Sequence, residues 1–386
     1  MLKKSKLLLV FMSCIFLFLG CNIRFPKASR LSGKYEILAY GDYAKYLTDR
    51  AKVFCLNNPR VKIDVKEIKK SDYFKYVKDN IKNDKQKFDG VLLSSSQINE
   101  VEEEQKDYLY NVTKLVNDEG SNIFEWRKNE CKVKDEYYGY PLDTTPIIMY
   151  YNKDIFNKYG INDESIVTWH DFINIGKRIK QESKEKDYII NTGEWNKEQL
   201  ISILANEIRL NLENEDSKKI KLDKVKNLFL TLKNEKLYTD SYGNIKNSAL
   251  ILGSSKFYIN IKKEFNKINW GYIPLPAFEQ GGNRFVTLQG MNLSIINNDK
   301  NKYTLEQFIK FVTNDKIALL DSMFKYGIFP ANTQCYKHAM IDSREENVGY
   351  RQLWQSFANI VSNTKQDENY NQIIKDNKNE FKELLN

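Results

Sequence analysis

The segment from Gly139 to Gly160, GYPLDTTPIIMYYNKDIFNKYG, constrains the fold more than any other part of the chain. Gly139-Tyr140-Pro141-Leu142 is extended, Asp143-Thr144-Thr145-Pro146 forms a polar knuckle, and Ile147-Ile148-Met149-Tyr150-Tyr151 is an unbroken apolar strand. Pro146 biases Thr145 toward extended backbone, because its ring clashes with a helical predecessor. Strand-like backbone therefore runs into and out of the knuckle, which suits a strand that leaves one sheet and enters another. Asn152-Lys153-Asp154 then opens a short helix that stops at Gly160. Thr168 reads as the N-cap of the next helix, running to about Ile179, with Asp171 at its third position closing a capping box.

The N-terminus makes a separate statement about location. Lys3, Lys4 and Lys6 precede an apolar run from Leu7 to Leu19, followed by Gly20-Cys21-Asn22. A charged start, an apolar stretch too short to span a bilayer comfortably and a small residue before cysteine resemble a bacterial lipoprotein signal. On that reading residues 1–20 are the signal peptide, Cys21 is the lipidation site and residues 21–34 are a lipidated tether. Phe18 stands where such signals usually carry Leu. The other reading is an uncleaved N-terminal anchor with Cys21 as an ordinary small hydrophobe. Cys14 leaves with the signal, so Cys55, Cys131 and Cys335 form an odd, widely spaced set with no metal pattern and at most one bridge.

A body of roughly 365 residues exceeds what one hydrophobic core usually holds, so two lobes are expected. The hydrophobic share of 41%, with no second long apolar run, suits a soluble body on that tether. Formal net charge is +9, falling to about +6 without the three signal lysines, and it is spread over the whole chain. Acidic and basic residues alternate, as in Lys184-Glu185-Lys186-Asp187, which describes a solvated surface and not a nucleic-acid stripe. Lys375 to Lys382 is a solvated charge face of the same kind.

Tyr35 to Tyr40 alternates into a buried first strand, a helix follows from about Tyr43 to Asn57, and Asn58-Pro59 ends it before the strand Val61 to Val65. Strand, helix, strand at this spacing is a βαβ unit in a parallel sheet. A helix over about Asp72 to Asn83 leads to the strand Phe88 to Leu93 and the serines Ser94, Ser95 and Ser96. Ligands of open α/β sheets sit at the carboxyl ends of strands, which brings Tyr40, Gly41, Asp42 and these serines near a cleft. A plain serine turn would use the same residues. Farther on, a strand Tyr188 to Ile190 meets the turn Asn191 to Asn196 and a helix over about Lys197 to Asn211. Trp195 in that turn either offers a platform to a flat ligand face or staples the helix to the core.

Tyr138-x-Tyr140-Pro141, then Tyr150-Tyr151-Asn152-Lys153-Asp154-Ile155-Phe156, then Thr168-Trp169-His170-Asp171-Phe172, form an ordered series over about forty residues that resembles the family 1 extracellular solute-binding proteins of ABC importers, the maltose-binding-protein-like group. Asp89 falls on that family's P-D-[VI] strand, with Phe88 in place of Pro. Ser248 to Ser255 resembles its A-[AM]-x-x-x-G-x-W strand and turn, with Ser255 where an aromatic platform often stands. Gly271-Tyr272-Ile273-Pro274-Leu275-Pro276 matches G-x-x-P-L-P, the return crossing, and Gly290 resembles a glycine that brings backbone close to solute. An ordinary β-bulge would also need that glycine. An amphipathic helical pair from Tyr303 to about Lys325 precedes Gly327-Ile328-Phe329-Pro330-Ala331, the third crossing.

The resemblance implies an α/β, two-lobed periplasmic-binding-protein-like fold of type II, its lobes joined by a three-crossing hinge. Residues 35–143 and 277–330 would form the N-terminal lobe, and 144–276 and 331–386 the C-terminal lobe. It implies a monomeric, lipid-anchored receptor on the extracellular face of the cytoplasmic membrane, capturing a sugar or oligosaccharide and delivering it to the transmembrane subunits of an ABC permease. Within such a cleft Tyr40, Tyr151 and Trp195 would cover sugar faces, and Asp42, Asp143 and Gln289 would accept from hydroxyls. Ser94, Ser95 and Thr145 would add hydroxyls, and Gly290 close backbone. Gln289 either hydrogen-bonds a solute or caps a neighbouring strand. No metal, cofactor or nucleic acid is expected, and no catalytic residue is assigned. His170 and His338 lie far apart, and H-E-x-x-H, G-x-S-x-G, GK[ST] and Cys-His zinc spacings are absent from the sequence. Two alternatives stay open: a surface glycoside hydrolase working with two carboxylates, and a receptor presenting its solute to a membrane sensor kinase.

Overall fold

A computed structural model of the chain describes residues 31–82, 87–209, 215–239 and 241–365. The signal segment, Cys21, most of the tether and the Lys375 to Lys382 face lie outside the described residues.

In chain order the strands of the first part are β1 (Gly33–Ala39), β2 (Val61–Glu67), β3 (Gly90–Ser94), β4 (Lys132–Val133), β5 (Glu136–Tyr137) and β6 (Tyr140–Pro141). The ten-residue β7 (Asp143–Asn152) is followed by β8 (Tyr188–Asn191), β9 (Tyr238–Thr239), β10 (Ser248–Gly253) and β11 (Trp270–Ile273). The last are β12 (Val286–Leu288), β13 (Met291–Ile295) and β14 (Phe329–Pro330).

One sheet has the order β2-β1-β3-β13-β6. The expected βαβ unit opens it: β1 and β2 pair in parallel, Tyr35 opposite Ile63, with the helix Gly41–Asn57 between them. β3 joins β1 in parallel, and β13 returns antiparallel to both β3 and β6. Helices cover such strands on both faces, so they read as apolar runs. Leu38, Ala39, Val91, Leu92 and Leu93 are fully buried. The second sheet has the order β11-β7-β10-β8-β9, with β8, β9 and β10 parallel and β7 antiparallel to its neighbours. Its core runs from Ile147 and Met149 to the helices Trp169–Ser183 and Lys197–Glu207. A further cluster on its other face gathers Tyr150, Trp270, Trp354 and Phe357.

The two sheets are joined at β7. Asp143 and Thr144 pair with β14, Thr145 to Ile147 pair with β12, and Ile148 to Asn152 pair with β10 and β11. The polar knuckle is thus continuous strand and forms the first crossing of the chain, and the other two lie side by side against it. Leu142 N–H donates to Met291 O at 2.9 Å and Ala331 N–H to Leu142 O at 3.2 Å, tying the crossings together. Side chains interleave at the third crossing: Ile328 and Ala331 enter the first lobe's core and Phe329 the second's.

Local signals read from the sequence have their expected physical form. Thr168 Oγ1 accepts from Asp171 N–H, and an Asp171 carboxylate oxygen accepts from Thr168 N–H at 2.8 Å. Gly327 ends the helix Lys316–Tyr326 at φ 67°, a left-handed conformation that favours glycine. The helix capped by Asn196 ends at Glu207, short of Asn211. Cys55, Cys131 and Cys335 are free thiols.

Candidate functional site

A cavity of about 370 Å³ opens between the lobes beside the hinge. Tyr40 and Ser94 reach it at the carboxyl ends of β1 and β3. From the second lobe Glu194 and Trp195 follow β8, and Ser254 and Lys256 follow β10. Thr145, Gln289 and Gly290 of the crossings form its inner end. Both lobes therefore offer the carboxyl ends of parallel strands, where helix N-termini converge. Three of those helices are capped by side chains at the cleft. Ser94 Oγ accepts from Gln97 N–H at 3.3 Å, Asn196 Oδ1 from Gln199 N–H at 2.8 Å and Ser254 Oγ from Lys256 N–H at 3.2 Å.

The floor is a buried polar node. Asp143 is 1% exposed. One of its carboxylate oxygens accepts from Tyr43 Oη at 2.6 Å and the other from Met291 N–H at 2.6 Å. Burial pushes its carboxyl up, while Lys256, the Tyr43 bond and the Met291 N–H oppose that rise. Behind it the fully buried Arg127 donates from Nε to Asp143 O at 2.9 Å and from Nη2 to Met291 O and Asn292 Oδ1, at 2.9 and 2.7 Å. Its Nη1 lies 3.2 Å from Glu130. Burial pushes Glu130 up to about 7, against the pull of Arg127. Gly290 is required here: a Cβ would lie 1.8 Å from the Asp143 carbonyl oxygen.

Charge reaches the cavity from both lobes. Glu194 accepts from Ser254 N–H at 3.1 Å, and burial pushes it up to about 7, opposed by that bond and by Lys256 and Lys70. The Lys256 ammonium rests 3.7 Å from the Tyr43 ring centroid. Burial lowers its affinity for the proton, while Asp143 and Glu194 raise it. Trp195 Nε1–H donates to Leu252 O at 3.0 Å, which fixes the indole with one edge against the core and the rest in the cleft.

Of the residues singled out in the sequence, Tyr40, Ser94, Thr145, Trp195, Gln289 and Gly290 line this cavity. Asp143 lies directly beneath it, already occupied. Three residues stand elsewhere. Asp42 sits in the first turn of the helix Gly41–Asn57 and pairs with Lys45 at 3.0 Å, because the chain turns into helix immediately after Tyr40. Ser95 begins the helix Ser95–Glu104 and is fully buried, since only alternate positions of the turn after β3 face outward. Tyr151 is carried six residues along β7 from Thr145, roughly 20 Å at strand rise. There its hydroxyl donates to Asp163 at 3.0 Å and its ring stacks on Phe156.

Sequence reading passed over Tyr43, Lys70, Gln97, Gln199, Ser202, Asn206 and Lys256, which also line the cavity. Two of these carried a signal: Ser94-x-x-Gln97 and Asn196-x-x-Gln199 are capping boxes, which mark helix starts and hence the carboxyl ends of strands. Lys70 and Lys256 carried none, being ordinary lysines in a lysine-rich chain.

Fold and site together define a two-lobed binding protein with a hinged cleft. A family model described as bacterial extracellular solute-binding protein matches residues 38–318, and the chain belongs to that family. Similar solved structures include the sugar-binding protein MalE of Xanthomonas citri, with TM-score 0.69 and 16% identity, covering 86% of each chain. The cyclic alpha-maltosyl-1,6-maltose binding protein of Arthrobacter globiformis has TM-score 0.72 at 11% identity, over 89% of this chain and 90% of that one. The galacto-N-biose/lacto-N-biose I-binding protein of Bifidobacterium longum has TM-score 0.68 at 16% identity, again over 89% and 90%. At such identities these establish the two-lobed fold. An arabinooligosaccharide-binding protein of Halalkalibacterium halodurans is 42% identical over 55 residues, 14% of this chain and 12% of that relative's length.

Proposed function

We propose that this chain is the lipid-anchored solute receptor of an ABC importer. It captures a sugar or oligosaccharide by closing two lobes and delivers it to a membrane permease. The observation that carries this reading is the composition of the cleft. Gln97, Gln199, Gln289 and Asn206 line it with amides. The Gln97 and Gln199 oxygens already accept from their N-cap backbones and the Asn206 nitrogen donates to Thr287 O, so it is the rest of each amide that can meet a sugar hydroxyl. Ser94, Thr145 and Ser202 add hydroxyls, and the Trp195 indole with the Tyr40 ring offers apolar faces to the C–H sides of a sugar ring. The cavity volume suits a small-molecule site. The sugar-binding descriptions of its structural and curated relatives support the same class.

Because β7 and its neighbours are the connections between lobes, a rotation there brings the Trp195 side onto the Tyr40 side. Closure is stabilised only by contacts the solute makes in the closed form, so the closed state reports occupancy to a permease. Cys21 would hold the body at the outer face of the membrane; among the described residues no helix is long and apolar enough to cross one. The chain binds its solute and does not convert it, and ATP hydrolysis belongs to another subunit.

A thermal-shift screen of the full-length chain against mono- and oligosaccharides tests this, with amino acids and polyols as contrasts. A ligand at a hundred times its dissociation constant adds about 2.7 kcal/mol, a visible rise in Tm. A rise with one saccharide class, recovered chemically unchanged, is the expected result. Response only to another class would discard the carbohydrate assignment, and release of reducing ends would discard the receptor in favour of a hydrolase.

A further inference from the structure

Two ammonium groups enter the cleft from opposite lobes. Lys70 is exposed at the first position of the helix Lys70–Lys82, and Lys256 lies in the first turn of the helix Ser255–Glu264. Both positions are electrostatically unfavourable for a cation, because the helix dipole places its positive end there. Among the described residues neither lysine is held in an ion pair; Lys256 instead rests over the Tyr43 ring. The cavity lining contains one acid among the described residues, Glu194, and the Ser254 N–H already holds it. The charges of Asp143 and Asp42 also act on Lys256, but both Asp143 oxygens are engaged beneath the floor and Asp42 pairs with Lys45, so neither gives the ammonium a direct partner in the cleft.

We infer that the solute is an acidic saccharide, a sugar whose ring carries a carboxylate of the uronate type, held between Lys70 and Lys256. The inference rests on the receptor reading above and narrows its solute. Lys256 feels the Lys70 charge across the cleft, after the larger opposing effects of Asp143 and Glu194. Closing the lobes on a neutral sugar brings like charges together, whereas a carboxylate between them turns that repulsion into two charge-assisted hydrogen bonds. Anionic solute therefore favours the closed form in a way that no neutral sugar does. The helix N-termini that meet at the cleft act in the same direction. Placement of lysine where helix stability disfavours it is a local rule broken at a functional site.

Isothermal titration of the full-length chain with uronate mono- and disaccharides, each paired with its neutral parent and with hexose phosphates as a third arm, tests this. The expected result is at least roughly tenfold tighter binding of a uronate than of its neutral parent, in line with hydrogen bonds to charged groups. That ratio falls as salt is raised. It should also shrink toward one in both Lys70→Gln and Lys256→Gln; Lys70 is exposed, so its variant is readable even where the Lys256 change impairs folding. A preference for hexose phosphate, lost in the same variants, retains the anionic solute and names phosphate as its charged group. Equal or tighter binding of the neutral parents, with both variants retaining the wild-type ratio, overturns the inference and leaves the sugar receptor standing. Silence in all arms, acidic and neutral alike, overturns the inference together with the carbohydrate assignment on which it rests.

Discussion

Trp195 combines two roles that its sequence context leaves open. Its Nε1–H is committed to Leu252 O, while its ring lines the cleft. Trp195→Ala should lower saccharide affinity roughly tenfold through the lost ring face. The lost backbone bond adds about 1 kcal/mol of destabilisation. Titration and thermal melting separate the two effects, and a fall in Tm with affinity intact would remove Trp195 from the site. Glu194 makes a different prediction. Its folded-state carboxyl sits at about 7, above the ordinary glutamate value, so the folded state holds the proton more tightly than the unfolded chain. Its stabilising contribution is complete in mild acid below the unfolded value and is lost as pH rises through about 7. Glu194→Gln should flatten the decline of Tm between the ordinary glutamate range and about pH 7, leaving the part that Glu130 contributes in the same direction. An unchanged slope would show that Glu194 does not titrate there. Single residues were the least legible scale in the sequence. Asp42 and Ser95 sit next to true lining residues but on the wrong side of a helix start, and one position decides which way a side chain points.

At the scale of elements the sequence was far more explicit. The βαβ opening, the strand through the knuckle, the Thr168 capping box and the Gly327 terminus all follow from spacing and from the preferences of Pro, Gly and capping side chains. What spacing did not reveal is that separate segments come to one cavity as helix N-termini, because that depends on how two sheets face each other. The hinge strands also explain why Gly290 has no substitute. Its missing side chain lets the Asp143 carbonyl approach, and Asp143 in turn fixes Met291 and Tyr43. Gly290→Ala should therefore cost at least about 2 kcal/mol of stability, a steric conflict with backbone that no rotamer relieves. Chemical denaturation measures it; a loss below a few tenths of a kcal/mol would mean that the crossings separate easily.

Polar amides and a few charged side chains line the cleft where the two lobes meet, and apolar residues fill cores on either side of β7. Three adjacent crossings join the two bodies side by side along β7. A sequence reaches this scale only through the order of its motifs, which is why the clam-shell was readable from the chain and its solute was not. The central claim is capture of a saccharide by closure. Small-angle X-ray scattering of the full-length chain, with and without the saccharide that raises its Tm, tests it most directly. The radius of gyration should fall on saturation and return when the sugar is dialysed away. An unchanged radius at proven saturation would contradict closure as the means of capture.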